Sequence, residues 1–138
     1  MDISIQKSKL HNHQEIQITG SKSESNRLLL LQAFYPEIKI ENLSNSDDSA
    51  LMQMALAANE ANIDIHHAGT AMRFLTAYFS IQEGKEVVIT GSSRMKERPI
   101  KILIDALRTL GAEITYVEND GFPPLKIVGK KLNKSEVA

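Results

Sequence analysis

The hydrophobic positions change their spacing once along the chain. Near the N-terminus, isoleucines alternate with polar residues at Ile3 and Ile5 and again at Ile16 and Ile18, which predicts two short strands around a polar turn. After residue 20 the apolar positions recur at helical spacing, and each helical stretch is followed by a short β-branched segment. The pattern beyond residue 20 therefore predicts an α/β fold.

The predicted helices cover residues 23–35, 47–59, 70–82 and 98–110. The predicted strands in the same part of the chain cover residues 38–40, 63–65, 87–90, 114–117 and 125–128. Pro99 lies at the first turn of the fourth helix and Gly111 just beyond its end, which is the usual asymmetry of helix ends.

The first and third predicted helices are apolar on almost all sides. Examples are the run from Leu28 to Leu31 in the first, and Phe74, Leu75 and Phe79 in the third. Helices of this kind are usually buried on several sides, whereas simple alternation of strands and helices places helices outside a parallel sheet. We give the helix composition more weight and expect helices packed inward with sheets around them.

Composition and charge narrow the class of protein. A chain of 138 residues with 42% hydrophobic content fits one globular domain or a piece of a larger one. The net charge of -1 provides no general attraction to nucleic acid or to an anionic membrane, and the absence of cysteine excludes disulfides and thiolate sites within the chain. With no leader pattern and no run of about 18 apolar residues, a cytoplasmic protein is expected.

Basic residues cluster at three predicted helix starts. They are Lys22 and Arg27 at the first, Arg73 at the third, and Arg94, Lys96 and Arg98 at the fourth. A cation is disfavoured there by about 0.3–1 kcal/mol, but together with free backbone N–H groups it makes an anion site. Any single cluster is more often solvated or paired with a carboxylate. The three together favour a ligand with several negative charges.

Other candidate motifs have simpler interpretations. The turn Gly20-Ser21-Lys22-Ser23 offers small hydrogen-bond donors to an anion, but it is neither a phosphate-binding P-loop nor a dinucleotide fingerprint. The pairs His66-His67 and His11/His13 lack helical i, i+4 spacing and a third ligand, so no metal site is expected. Asp47 and Asp48 are interpreted as helix-capping residues.

Four motifs, in this order, resemble the N-terminal part of the 5-enolpyruvylshikimate-3-phosphate synthases. They are Gly20-Ser21-Lys22-Ser23-Glu24-Ser25-Asn26-Arg27, Ser46-Asp47-Asp48, Ala68-Gly69-Thr70-Ala71-Met72-Arg73 and Arg94-Met95-Lys96-Glu97-Arg98-Pro99-Ile100, within residues 20–129. The related enolpyruvyl transferases that act on UDP-N-acetylglucosamine carry Lys-Asn where this chain has Lys22-Ser23. The resemblance implies transfer of an enolpyruvyl group from phosphoenolpyruvate to shikimate 3-phosphate, on the route to chorismate and the aromatic amino acids.

The resemblance also implies roles for single residues. Lys22 is expected to touch both substrates, and Ser23 and Arg27 to hold shikimate 3-phosphate. Gly69 and Arg94 are expected to contact phosphoenolpyruvate.

Two further residues, Thr70 and Arg73, are expected to shape the loop and helix start beside Gly69. The family reaction proceeds by addition and elimination without a metal or an organic cofactor, so it depends on positioning, electrostatics and proton transfer. Lys22 is the catalytic candidate, as a proton carrier or as a group that neutralises phosphate.

Two departures from the family pattern bear on these expectations. His67 stands where the family usually has Asn. The chain is also short, because family members are two-lobed and built from repeated βαβαββ units with helices inside and sheets outside. We therefore expect an incomplete fold: residues 20–138 form part of the N-terminal substrate-binding lobe, the C-terminal lobe is absent, and residues 1–19 are strands of the other lobe. In this chain those strands are expected to be disordered, swapped or paired non-natively.

The leading hypothesis is a piece of an enzyme that binds shikimate 3-phosphate weakly and turns nothing over alone. The full-length enzyme is expected to be a monomer, whereas this chain is expected to self-associate through an exposed apolar face. One alternative is a relative of the UDP-N-acetylglucosamine transferases. The other is a stand-alone α/β module that binds anions.

Overall fold

The computed structural model describes residues 3–9, 12–134 and 136. The helices are α1 (Lys22–Phe34), α2 (Asp47–Ala57), α3 (Gly69–Ser80), α4 (Ser93–Lys96) and α5 (Lys101–Leu110). The strands are β1 (Asn62–Asp64), β2 (Glu86–Thr90), β3 (Glu113–Tyr116) and β4 (Leu125–Val128).

The four strands form one sheet in the order β1-β2-β4-β3. Strands β1 and β2 are parallel, with Ile63 opposite Ile89, whereas β4 runs antiparallel to both β2 and β3. From β1 to β4 the chain therefore completes one βαβαββ unit, in which α3 and α5 are the long connecting helices. Helices α1 and α2 precede this unit.

Helix α3 lies at the centre of the core. Its residues Ala71, Met72 and Leu75 are almost fully buried, and the helix contacts α1, α2, α5, β2 and β4. The sheet contributes Ile89 and Ile127, both fully buried, to the same core. The prediction of an α/β fold with helices packed inward is confirmed. Among the described residues, none of the helices has both the length and the apolar character needed to cross a bilayer.

The predicted strand at residues 38–40 does not form. The Ile38 amide donates to the Tyr35 carbonyl at 3.0 Å, and the Ile38 carbonyl accepts from the Gln32 side chain at 2.6 Å. Because a turn and a side chain already occupy both backbone groups of Ile38, this residue has none left with which to join a ladder. This prediction was wrong.

The fourth predicted helix is divided in two. Helix α4 is capped by Ser92, whose hydroxyl accepts from the Met95 amide at 3.3 Å, and α5 begins only at Lys101. Pro99 therefore lies in the turn between the helices and not in the first turn of α5. The predicted end of α5 is confirmed, since Gly111 is its C-cap with a φ of 106°.

The predicted N-terminal strands are absent from the described residues. Ile3, Ile5, Ile16 and Ile18 are between 74% and 90% exposed, and residues 3–9 and 12–19 contain no strand. A lone two-stranded hairpin is marginal in water unless it packs against another surface. Residues 1, 2, 10 and 11 of this predicted segment, and residues 135, 137 and 138 of the predicted lobe, lie outside the described residues. The division into lobes stays a prediction.

Candidate functional site

The start of α1 carries the first cation cluster. Ser21 caps the helix by accepting from the Glu24 amide at 3.4 Å. Lys22 follows it, half-exposed, with its Nζ 3.6 Å from Oδ2 of Asp48 in the first turn of α2. Ser23 is also exposed. A lysine and small hydroxyl groups therefore stand in water where free N–H groups of the helix begin.

Arg27 extends this cluster toward α3. Its Nη1 donates to the Ser23 carbonyl at 2.7 Å, and its Cζ lies 5.7 Å from the centroid of the Phe74 ring. A guanidinium held over an aromatic face gains about 0.5–1 kcal/mol at an exposed site. This contact brings Arg27, from the first cation cluster, against α3, the helix that carries Arg73.

No side chain caps the start of α3. Its N-cap residue is Ala68, which offers no side-chain acceptor, so the N–H groups of the first turn have no intrahelical partner. Gly69 is buried and Thr70 is half-buried. Such a helix start favours an anion electrostatically.

Two guanidinium groups lie against this helix start. A Cβ placed on Gly69 would collide with Nη1 of Arg98 and would lie 3.8 Å from Nη1 of Arg73. Arg73 is fixed by donating to the Gly69 carbonyl at 3.1 Å and to the Pro99 carbonyl at 3.2 Å. Among the ion pairs of the described residues, neither arginine has a carboxylate partner. Two uncompensated positive charges at a helix start provide a site for a ligand with more than one negative charge.

Arg94 is not among the side chains nearest to a Cβ placed on Gly69. Arg94 is exposed on α4, and its side chain makes no hydrogen bond or ion pair with the described residues. Arg98, four residues later, is the arginine that lies over Gly69. Both belong to one motif, in which the resemblance implied that Arg94 contacts phosphoenolpyruvate, and that role stays a prediction. Which of the two arginines lies over Gly69 depends on where α4 ends and how the chain turns at Pro99.

His66 and His67 lie in the loop that leads to α3. The His66 amide donates to Oδ1 of Asp64 at 2.7 Å, and the Nδ1 atoms of the two histidines are 2.5 Å apart. With Asp47 of α2 they line an open cavity of about 410 Å³. Within the described ranges, no group of three His, Cys, Asp or Glu residues is arranged to hold a metal ion.

A layer of buried polar side chains supports the first cluster from inside. Oδ1 of Asn26 accepts from the Ser49 hydroxyl at 3.0 Å, and the Ser25 hydroxyl accepts from the Ser44 amide at 2.9 Å. These bonds join α1 to the loop before α2 and to α2 itself. The sequence motifs included Ser25 and Asn26, but their burial could not be inferred without knowing the packing of α1.

Comparison with known proteins identifies relatives of this chain. The sequence profile described as EPSP synthase (3-phosphoshikimate 1-carboxyvinyltransferase) matches residues 52–138. The chain is 52% identical over 123 residues to the 3-phosphoshikimate 1-carboxyvinyltransferase of Bacteroides fragilis, an alignment that covers 88% of this chain and 30% of that protein. It is 41% identical over 150 residues to the enzyme of the same name from Photobacterium profundum, with 89% and 35% covered.

The fold has counterparts among solved structures. An EPSP synthase from Acinetobacter baumannii superposes with a TM-score of 0.73 at 21% identity, covering 88% of this chain and 34% of that one. The chain thus spans about a third of the length of the relatives it matches. The profile match and the identities together show that this chain belongs to the EPSP synthase family.

Proposed function

We propose that this chain supplies part of the substrate site for transfer of the enolpyruvyl group of phosphoenolpyruvate to shikimate 3-phosphate. The observation that carries the proposal is the presence of adjacent cation clusters at the starts of α1 and α3, whose arginines have no carboxylate partner among the described ion pairs. Both substrates are polyanions, and family membership makes them the ligands to test first.

The α1 cluster is the proposed site of shikimate 3-phosphate. Ser23 offers a hydroxyl and Arg27 a guanidinium, and the first-turn N–H groups of α1 add to a site that fits a phosphate. Lys22 pairs loosely with Asp48 at 3.6 Å, with its side chain half-exposed. The ammonium is therefore able to exchange Asp48 for a substrate phosphate at little cost, because exposed ion pairs contribute about 0–1 kcal/mol.

The α3 cluster is the proposed site of phosphoenolpyruvate. Gly69 and Thr70 would contribute backbone N–H groups, and Arg73 would hold the helix start in place through its bonds to two carbonyls. We assign Arg98 a contact with phosphoenolpyruvate because its guanidinium lies over Gly69, and we place Arg94 at the margin of the site. A guanidinium can bind a carboxylate or a phosphate through two parallel hydrogen bonds.

The chemistry proposed for this chain is electrostatic and needs no cofactor. Addition of shikimate 3-phosphate to phosphoenolpyruvate and the later elimination of phosphate both involve concentrated negative charge, which the two clusters would neutralise. Lys22, between the substrates, is the residue assigned to carry a proton or to neutralise phosphate. The remaining two thirds of the relatives' length would supply the other catalytic groups, so the chain alone is proposed to bind without turnover. We place the full-length protein in the cytoplasm as a monomer, without nucleic-acid or membrane partners.

Titration of the chain with shikimate 3-phosphate, followed by amide chemical shifts, tests this proposal. We expect saturable shifts at Lys22, Ser23 and Arg27, and none with UDP-N-acetylglucosamine. Arg27→Ala should weaken binding by about tenfold or more, equivalent to about 1.4 kcal/mol. Lys126→Ala is the matched control, since it removes one surface cation that pairs with Glu86 on the sheet.

Two results would contradict the proposal. One is the absence of saturable shifts with shikimate 3-phosphate. The other is an equal loss of affinity in the Arg27 and Lys126 variants, which would indicate attraction to overall charge and not to a built site.

A further inference from the structure

The buried polar residues of the described chain are not scattered. They are Ser25, Asn26, Ser44 and Ser49 at the junction of α1 and α2, together with Thr76 and Ser80 in α3. The two α3 hydroxyls donate to carbonyls of their own helix, at 2.7 Å and 2.6 Å. Only the group at the junction joins different elements.

This junction network links five residues through four hydrogen bonds. Ser49 donates to Oδ1 of Asn26 at 3.0 Å, and the Ser46 hydroxyl bonds to Ser49 at 3.1 Å. The Ser46 amide donates to the Ser44 hydroxyl at 3.2 Å, and the Ser44 amide donates to Ser25 at 2.9 Å. The first turns of α1 and α2 are therefore held together by directional bonds.

Helix α1 needs such bonds because its apolar residues do not define one face. Leu28 to Leu31 run consecutively, and their exposure ranges from 4% for Leu29 to 46% for Leu31. A helix that is apolar on several sides can rotate about its axis with little change in buried apolar area. One buried polar residue can select a single register, as it does in coiled coils.

The network uses one end of the Asn26 amide and not the other. Asn26 is fully buried, yet its Nδ2 has no hydrogen-bond partner among the described residues. A buried donor without a partner destabilises the folded state. The Asn26 amide is therefore better explained by the geometry that its oxygen enforces, through the bond from Ser49, than by its contribution to stability.

We propose that Asn26 and Ser49, with Ser25, are positioning residues that set the rotation of α1 and thereby place Lys22, Ser23 and Arg27 for shikimate 3-phosphate. Successive residues of a helix are about 100° apart, so a small rotation of α1 moves these three side chains away from the ligand. This role rests on the proposed function. It predicts a defect that is larger for shikimate 3-phosphate than for phosphoenolpyruvate, because Ser23 and Arg27 are assigned to the first ligand alone and only Lys22 is assigned to both.

The test compares two serines that are each 0% exposed. Ser49→Ala removes the bond between helices, whereas Ser80→Ala removes a bond within one helix. In amide-shift titrations of the full 138-residue chain, Ser49→Ala should weaken shikimate 3-phosphate binding by about tenfold, since misplacement of about 1 Å costs that much or more. Its loss of affinity for phosphoenolpyruvate, followed at Gly69 and Arg73, should be smaller, because Lys22 is the one displaced residue assigned to that ligand. Ser80→Ala should leave the affinity for each ligand within about twofold of the wild-type value, because it does not disturb the start of α1.

A second variant distinguishes a positioning defect from loss of the fold. Ser25→Ala removes the acceptor of the Ser44 amide without touching the Asn26–Ser49 bond, and should give a weaker defect of the same kind. All spectra are taken well below each variant's unfolding midpoint. Equal binding by the Ser49 and Ser80 variants, or equal losses for both ligands, would overturn the positioning role while the wild-type titration still supports the proposed function. A wild-type chain that does not respond to shikimate 3-phosphate would overturn the proposed function, and the positioning role with it.

Discussion

Arg98 and Arg94 belong to one motif but occupy different surroundings, and this difference gives a test at the scale of single residues. Arg98→Ala should weaken phosphoenolpyruvate binding to the chain by about tenfold, or about 1.4 kcal/mol, because its guanidinium lies over Gly69. Arg94→Ala is the control, since it removes the same charge from a side chain that is not among those nearest to a Cβ on Gly69. Amide shifts at Gly69 and Thr70 report the binding. A larger loss from the Arg94 change would reverse our assignment.

Tyr116 offers a second test of a single residue. Its hydroxyl is buried without a hydrogen-bond partner among the described residues, while its ring lies 4.9 Å from Cζ of Arg108. Tyr116→Phe keeps the ring and removes the hydroxyl. At neutral pH we expect the free energy of unfolding to stay unchanged or to rise by about 1 kcal/mol, as measured by urea unfolding.

The same change should alter the response to alkaline pH. Burial raises the pKa of the Tyr116 phenol above its ordinary 10.0, against an opposing effect of Arg108. The folded state therefore holds this proton more tightly than the unfolded state does. The resulting stability is fully present below about pH 10 and is lost as the pH rises through the folded-state pKa. Between pH 9 and about pH 11, the Tyr116→Phe variant should lose less stability than the wild type. Tyr35→Phe, at an exposed tyrosine, controls for the loss of one phenol.

The sequence indicated which residue types lie at the helix starts, but not the directions in which their side chains point. Cations at the starts of α1 and α3 could be recognised because they oppose the helix dipole. Which arginine faces Gly69 could not, because it depends on the turn in which the Arg98 amide donates to the Met95 carbonyl at 3.0 Å. The burial of Asn26 likewise follows from the packing of α1 on α2, which no local pattern encodes.

Helix α5 provides a test at the scale of one element. Ile104 is fully buried whereas Ile102, two residues earlier, is 89% exposed. Ile104→Ala should lower the free energy of unfolding by about 2–5 kcal/mol, because it leaves a cavity in the core. Ile102→Ala removes the same atoms from a water-exposed surface and should change the free energy of unfolding by about 0.5 kcal/mol or less. Urea unfolding of both variants measures the difference, and similar losses would mean that Ile102 is covered by another surface in solution.

Element boundaries show which local signals were sufficient. Gly111 ended α5 as predicted, since a left-handed cap with a φ of 106° favours glycine. Pro99 was misleading at the other end, because proline also fits the turn between α4 and α5. The strand predicted at residues 38–40 failed for a non-local reason: the Gln32 side chain takes the Ile38 carbonyl. β-branched residues indicate a preference, but a strand also needs a partner.

At the scale of the whole molecule, the βαβαββ unit shares one core with α1 and α2, and the described N-terminal segment has no part in it. The four strands each bury an isoleucine in this core, so both the pattern and the packing of the sheet agree with the prediction. The alternating isoleucines at the N-terminus have the pattern of strands, but no surface in the described structure covers them. The hydrophobic pattern therefore predicted that these residues need a partner surface, but it did not identify that surface.

The exposed isoleucines lead to the last prediction, that the isolated chain associates with itself through the N-terminal segment that carries them. Ile3, Ile5, Ile16 and Ile18 are each at least 74% exposed, and fully burying one such side chain is worth about 1.5–3 kcal/mol. Sedimentation velocity should show a concentration-dependent oligomer for the wild type. Replacing all four isoleucines with serine should return the chain to a monomer.

Helix α1 provides the matched control for this experiment. Leu31 and Phe34 are 46% and 41% exposed at its C-terminal end, and they form the competing apolar surface. Their replacement by serine should leave most of the association in place, because each has less than half of its surface available to bury. If the α1 variant is monomeric and the isoleucine variant still associates, the interface lies on α1 and the N-terminal segment does not drive assembly. A monomeric wild type at all concentrations would show that burying these isoleucines does not offset the entropy lost on ordering the segment.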